Sequence, residues 1–151
     1  ITIDLKNLVE KVFCIFEKRN TSFKFTLRLP GSDQILIQCH VLLLEQALII
    51  LLENAFKYTT TGEKISIQLK NQKRNILIIV SNTGTKIPMS ESENIFTKHY
   101  RYDEKNQGKG MGLYLARQIV VYHRGTLTLK NSEENKVAFH LKIPKMKGVE
   151  N

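Results

Sequence analysis

Cysteine is scarce in this 151-residue chain: Cys14 and Cys39 are the full complement, and neither stands in CxxC or metal-ligand spacing. That excludes a paired-thiol redox motif and a cysteine-based zinc site, and it fits a reducing compartment where thiols pack as small hydrophobes, so both are expected in the core. Long apolar runs are absent too. None approaches the roughly 20 residues that span a bilayer, and the chain opens at Ile1 without a basic-then-apolar leader, so neither an anchor nor a signal peptide is visible. The missing start methionine reads as the mark of a segment cut from something longer. There are no internal repeats, no low-complexity stretches, no HExxH and no GxSxG. His40, His99, His123 and His140 are scattered and without a plausible Cys partner, each fitting a surface or core residue better than a ligand.

Acidic residues are in deficit, 14 against 23 lysines and arginines, for a net charge of +9. An anionic partner follows: a nucleoside triphosphate, a nucleic acid or an acidic protein surface. The basic residues form no dense tract, and no zinc-finger or RNA-recognition signature accompanies them, so a nucleic-acid binder rests on charge alone and most of these lysines read as solvated surface. What the chain does have is 42% hydrophobic residues, enough for one domain with one sizeable core. The domain is expected over 1–145, with 146–151 as a frayed tail.

Leu5, Leu8, Val9, Val12, Phe13 and Phe16 recur at helical spacing behind Asp4, a candidate N-cap. Phe23, Phe25, Leu27 and Leu29 alternate, Pro30-Gly31-Ser32-Asp33 supplies turn chemistry and Ile35-Leu36-Ile37 returns, which predicts a hairpin. Val41 to Phe56 is apolar nearly all round, as in a buried helix. Ile65, Ile67 and Leu69 alternate, Asn71 to Arg74 turns, and Ile76 to Val80 reads as a strand buried on both faces. A long polar stretch follows, in which Ser90 and Glu93 at capping-box spacing predict a short helix before Ile95 and Phe96. Leu113, Ala116 and Val120 mark a last helix to about His123. A final hairpin alternates through Leu127, Leu129, Val137, Phe139, Leu141 and Ile143, turning near Glu134-Asn135. Helices and an antiparallel-rich sheet sharing one core give the α/β class of α+β type, as a two-layer sandwich.

Three motifs carry the chemistry. In Glu53-Asn54-Ala55-Phe56-Lys57-Tyr58-Thr59, Asn54, Lys57 and Tyr58 share a helix face, so an amide oxygen and an ammonium converge. A metal-triphosphate suits that pair, because Mg²⁺ takes oxygen ligands and keeps waters and substrate phosphates in its shell; a plain helix end with a Glu53–Lys57 surface pair is the alternative. In Asn82-Thr83-Gly84-Thr85-Lys86-Ile87-Pro88, Asn82 emerges at a strand end with an amide able to pair with adenine, and Gly84 lets a flat ligand approach; an Asx-turn is the alternative. In Gly108-Lys109-Gly110-Met111-Gly112-Leu113, glycines open a helix whose first N–H groups can meet phosphate. A flexible loop is the alternative there, and the surrounding order is not that of a parallel βαβ dinucleotide fold. Lys98, Arg101, Lys105 and Lys109 could fold over a phosphate chain or belong to a mobile basic loop.

In this order the three motifs resemble the N-box, G1 box and G2 box of sensor histidine kinase catalytic domains, and Ile95-Phe96-Thr97-Lys98-His99-Tyr100-Arg101 resembles the family's F-box. The resemblance covers the whole chain and implies the Bergerat fold of gyrase-type ATPases, with a mixed, mostly antiparallel sheet packed on helices. It implies ATP and Mg²⁺ as cofactors, catalytic roles for Asn54 and Lys57, and Asn54 as the metal ligand. Nucleotide contacts are implied from Asn54, Lys57, Tyr58, Asn82, Gly84, Ile87, Lys98, Tyr100, Arg101, Gly108, Lys109, Gly110, Met111, Gly112 and Leu113, with an ATP lid over about 89–109. The implied partners are a histidine-bearing dimerisation domain of the same, homodimeric protein and a response regulator downstream, with no nucleic acid and no membrane contact by this segment. The implied location is the cytoplasmic part of a membrane-bound sensor. The chain departs from the family pattern at Ile50, where an Asn is usual, at Asn82, where an Asp is usual, and at Lys86, where a Gly is usual. A nucleotide-toggled interaction module without kinase activity is the alternative that these departures leave open.

Overall fold

Residues 1–19, 22–31, 33–59, 63–84, 87–98, 111–132 and 136–145 are described by a computed structural model. Among the described residues seven strands and three α-helices follow one another as β1 (Thr2–Asp4), α1 (Leu5–Arg19), β2 (Lys24–Arg28), β3 (Leu36–Gln38), α2 (Val41–Tyr58), β4 (Lys64–Asn71), β5 (Asn75–Thr83), α3 (Gly112–Tyr122), β6 (Thr126–Ser132) and β7 (Lys136–Pro144). The main sheet has the order β2-β4-β5-β7-β6. Its β2–β4 pair is parallel and the other pairs are antiparallel. Helices and sheet share one core, so the expected two-layer α/β sandwich with a mixed, mostly antiparallel sheet is what the chain forms.

Period-two alternation decides which sheet face meets the helices. Ile65, Ile67 and Leu69 of β4, Ile76, Ile78 and Val80 of β5, and Val137, Phe139, Leu141 and Ile143 of β7 are buried and continuous with Leu44, Leu48, Leu51 and Leu52 of α2. Aromatic rings fix the C-terminal half of α2 in particular. Phe56 lies 5.2 Å from Phe16, 5.4 Å from Phe23 and 5.5 Å from Phe25 between ring centroids, the last two edge to face. Such pairs add about 0.5–1.5 kcal/mol each beyond the area they bury. The polar residues that follow on α2 are thereby held at a defined height over the sheet.

Several expectations are corrected. The predicted hairpin between the segments around Phe25 and Leu36 does not form: β2 pairs in parallel with β4, while β3 pairs antiparallel with β1, from Thr2↔Gln38 to Asp4↔Leu36. The sequence shows two alternating runs and a turn, but β1 is only three residues long, too short to announce itself as the competing partner. Asp4 holds the crossing together, its Oδ1 accepting from Lys6 N and from Ile35 N at 3.1 Å each, so it caps α1 as expected and ties it to the second sheet. Lys6 adds a bond from its ammonium to the Gly31 carbonyl. β5 is buried on both faces at Ile76, Leu77, Ile78 and Val80 as expected, and only Ile79, on the side away from the helices, is half-buried within that run. Ser90 and Glu93 build no capping box. Two 3-10 turns, Met89–Glu91 and Asn94–Phe96, take the place of the short α-helix, and neither has a side-chain cap bond. Cys39 is buried, which pushes its thiol up, whereas Cys14 is exposed on α1 rather than in the core. The final hairpin forms as expected, and its turn near Glu134-Asn135 lies outside the described residues.

Candidate functional site

Helix α2 runs two residues further than its apolar run, to Tyr58, and stops against Thr59. The Thr59 backbone N–H and its Oγ1 both donate to the Ala55 carbonyl, at 3.1 and 2.6 Å, satisfying an acceptor that the helix end leaves open. This clasp fixes the last turn, which carries Asn54, Lys57 and Tyr58. Asn54 and Tyr58 are half-buried and Lys57 is exposed. Lys57 Nζ sits 5.5 Å from the centre of the Tyr58 ring, a cation–π contact that keeps the ammonium beside the helix end. Among the described residues no ion pair joins Lys57 to Glu53, so the surface-pair alternative is not the one realised.

The end of β5 comes directly against that turn. Gly84 has φ near 150°, and a Cβ built on it would meet the Tyr58 carbonyl oxygen at 3.0 Å and Asn82 Nδ2 at 3.5 Å. A side chain at 84 would therefore push the two motifs apart. Asn82 is 4% exposed at the core-facing end of β5, between Ile65 and Val137 in register, and its Nδ2 donates to the Thr83 carbonyl at 3.3 Å. A buried amide with one long local bond keeps acceptor and donor capacity for a ligand. On the opposite side of the strand, Thr83 Oγ1 accepts from Lys64 N at 2.9 Å and donates to Glu63 Oε2 at 2.6 Å, holding the strand end in place. Ile87 is half-buried against the core just beyond.

Helix α3 supplies the third wall. It starts at Gly112 after Met111, and among the described residues no side chain caps its first N–H groups. A Cβ on Gly112 would lie 3.3 Å from Ile50 Cγ2, so the start of α3 rests on Ile50. Ile50 and Asn54 are one turn apart on the same face of α2, which places Asn54 on the side of α2 that α3's first turn covers. Leu113 packs against the core, and Met111 is half-buried. At the far end the two helices are fastened again. The His40 N–H donates to His123 Nε2 at 3.0 Å, and His123 Nδ1 lies 2.8 Å from the Ile119 carbonyl, so the ring bridges the start of α2 and the end of α3. His40 in turn caps α2, its Nδ1 accepting from Leu43 N at 3.3 Å.

Between β5 and α3, Ile95 and Phe96 are buried, and the Phe96 ring meets Phe139 edge to face at 6.1 Å. Arg117, on α3, stacks on Phe96 at 4.7 Å and pairs with Glu93 at 2.8 Å, holding that carboxyl below its usual range. Lys98 is exposed at the end of this stretch. Of the expected site residues, Asn54, Lys57, Tyr58, Asn82, Gly84, Ile87, Met111, Gly112 and Leu113 lie on elements that meet at one end of the helix layer. Tyr100, Arg101, Gly108, Lys109 and Gly110 lie outside the described residues. The parts that Thr59, Phe56, Arg117 and the two histidines play in holding the site escaped the sequence reading. Thr59 was legible as a capping residue next to Tyr58, whereas the Arg117–Phe96 contact depends on a helix and a turn that only the fold brings together.

These elements, in this order, are shared with known proteins. Residues 39–147 match the family of histidine kinase-, DNA gyrase B- and HSP90-like ATPases. The sensor histidine kinase CusS of Escherichia coli strain K12 is 34% identical over 146 residues, which is 94% of this chain and 30% of that protein. The chain thus spans about a third of the curated relative's length. The solved catalytic domain of histidine kinase ThkA, in a nucleotide-free form, superposes with a TM-score of 0.86 at 28% identity over 96% of this chain and 97% of that one. The structure of ThkA in complex with the response regulator protein TrrA superposes with a TM-score of 0.83 at 27% identity, covering 97% of this chain and 42% of that one. On this likeness of sequence and fold together, the chain belongs to the histidine kinase-, DNA gyrase B- and HSP90-like ATPase family, as an ATP-binding catalytic domain of the sensor histidine kinase kind.

Proposed function

We propose that the domain binds Mg²⁺-ATP where the ends of α2 and β5 and the start of α3 meet, and that it hands the γ-phosphoryl group to a histidine on dimerisation helices elsewhere in a homodimeric parent. The carrying observation is the double close approach, Gly84 against the Tyr58 carbonyl and Gly112 against Ile50, which brings three sequence-distant motifs to one mouth. Asn82 reads the adenine edge, with Gly84 and Ile87 lining the base. Lys57 and Tyr58 lie toward ribose and phosphate. The uncapped N–H groups at Met111 to Leu113, with Gly108, Lys109 and Gly110 before them, take the phosphates. Lys98, Tyr100 and Arg101 belong to a lid over about 89–109.

Mg²⁺ enters as part of the substrate. Among the described residues no cluster of three or more His, Cys, Asp or Glu could hold a metal unaided, and Ile50 offers none one turn before Asn54. A lone amide oxygen fits an ion that retains waters and phosphate oxygens as its other ligands. Asn54 would hold it, and the ion would neutralise charge developing on the phosphates. The remaining task is positioning: the bond from the γ-phosphorus to the bridging oxygen breaks as one from the acceptor nitrogen forms, and ADP leaves. A response regulator then receives the group, a role supported by the ThkA–TrrA complex. Among the described residues no helix is long and apolar enough to cross a membrane. The cytoplasmic part of a membrane-bound sensor is the location we propose on the likeness to sensor histidine kinases.

Titration with labelled ATP, with and without Mg²⁺, tests the binding. Binding that requires Mg²⁺ and falls at least tenfold in Asn54→Ala, about 1.4 kcal/mol, is expected. The domain alone should not label itself, while the full-length parent should acquire an acid-labile phosphoryl group on a histidine. Acid-labile label on the isolated domain, or none on the parent, defeats the kinase reading.

A further inference from the structure

The sheet face turned away from the helices carries seven cations around an apolar centre. In register across the strands, one row runs Lys70, Leu77, Lys142, Thr126; another sets Lys24 opposite Lys64 and Thr83 opposite Lys136, the two pairs joined by the bond from Lys64 N to Thr83 Oγ1. Arg28 and Lys130 stand on the same face, and all seven basic residues are exposed. Among the described residues no Asp or Glu stands on it; Glu63, at the rim, is engaged by Thr83. Lys24 lies directly opposite Lys64, an arrangement that destabilises a sheet because like charges face each other at pairing distance. Fold stability gives no reason to place them so. At the centre, Leu77 and Ala138 are 6% and 7% exposed and Ile79 is half-buried. Leu77 has a lysine on each side in register, so the lysine stems shelter it while their ammonium heads reach water. The field is felt by His140 in the middle of the face, whose imidazole is held below its ordinary value first by burial and then by Lys130, Lys70 and Lys142.

We propose that this open face is a docking surface for an acidic protein partner, whose carboxylates would meet the lysine rows while an apolar strip covers Leu77, Ile79 and Ala138. An apolar centre with a charged rim is the anatomy of a protein interface. A nucleic acid is the poorer fit, since among the described residues the face offers a single arginine and no Phe, Tyr or Trp for base stacking. A lipid surface is poorer too, because the exposed large hydrophobic residues, Ile1, Leu42, Met89, Leu115, Val121 and Tyr122, all lie off this face. The surface is separate from the nucleotide motifs, which lie on the helical side, so it stands or falls independently of the proposed kinase role.

The test uses short fluorescent poly-L-glutamate as the probe, with the intact domain in the presence and absence of Mg²⁺-ATP. Binding should weaken with salt, be indifferent to Mg²⁺-ATP, and perturb backbone amide resonances of β4, β5 and β7. Lys70→Glu with Lys142→Glu should lower affinity about tenfold or more, and the neutral pair Lys70→Gln with Lys142→Gln should lower it less, in the same direction. The charge-matched control on α1, Lys11→Glu with Lys18→Glu, should leave it nearly unchanged. Equal losses in the sheet and α1 pairs, shifts confined to α2 and α3, or tighter binding to phosphatidylserine vesicles or duplex DNA than to poly-L-glutamate would each overturn the proposal.

Discussion

Gly84 stands so close to Tyr58 that a Cβ would lie 3.0 Å from the Tyr58 carbonyl oxygen, and its φ near 150° is one that residues with a side chain rarely adopt. Both effects act together in Gly84→Ala. Strain of this kind costs about 1–3 kcal/mol, and relieving it would move the end of β5 away from the end of α2. Thermal unfolding should show the loss of stability, and ATP affinity should fall by more than stability alone explains, because the strand end carrying Asn82 is displaced. A folded Gly84→Ala with unchanged ATP affinity would show that the two motifs need not touch to bind nucleotide.

Arg117 joins α3 to the start of the proposed lid through Glu93 and the Phe96 ring. The Glu93 ion pair is largely exposed and contributes little to global stability; the stack on a buried ring contributes about 0.5–1 kcal/mol. Arg117→Ala should therefore lower the melting temperature only slightly while raising amide exchange in 89–98, the segment that loses its tether. Arg117→Lys, which keeps the charge without the planar stack, should restore only part of the protection. If exchange in that segment is the same in all three proteins, Phe96 alone anchors it.

Legibility followed the length of the periodic signal. Val41 to Phe56 and the alternations through Ile65 and Phe139 carry enough repeats to fix the helix, those strands and their faces. The pairing of β2 did not, because a turn after Leu29 and an apolar return at Ile35 look the same whether the return pairs with its neighbour or with a three-residue strand at Thr2. Ile50 shows the other limit. As a departure from a metal-ligand pattern it reads as a loss, but in the fold it is the surface on which Gly112 rests. Contacts between distant elements, such as His40 with His123, leave no local trace at all.

His140 gives a pH dependence with a definite sign. Its folded-state pKa lies below the ordinary 6.5 through burial and the neighbouring Lys130, Lys70 and Lys142. The unfolded chain therefore binds more protons in that window, and stability rises with pH across it. The stabilisation is complete above the ordinary value and is lost as pH falls through the folded value. His140→Gln should flatten this limb of a stability-versus-pH curve, and added salt should shallow it by screening the lysines. An unchanged slope in His140→Gln would assign the acid limb to other groups.

Asn82 gives the sharpest test of base recognition. Its buried amide donates to the Thr83 carbonyl at 3.3 Å, and replacing that Nδ2 with a carboxylate oxygen would set two acceptors against each other in a buried place. Without ligand, Asn82→Asp should lose stability, by about 1–3 kcal/mol for an unsatisfied buried polar group. With ATP the balance reverses, since a carboxylate accepting from the adenine amino group makes a bond worth about 1.5–3 kcal/mol against about 0.5–1.5 for a neutral amide. The carboxylate also repels the guanine carbonyl, to which an amide can rotate and donate. The variant should therefore melt lower alone, gain more from saturating ATP than the parent does, and discriminate more strongly against GTP. Competition binding of the two nucleotides to both proteins decides it: an unchanged ATP-to-GTP ratio would mean that Asn82 closes the strand end through Thr83 and leaves the base to other residues.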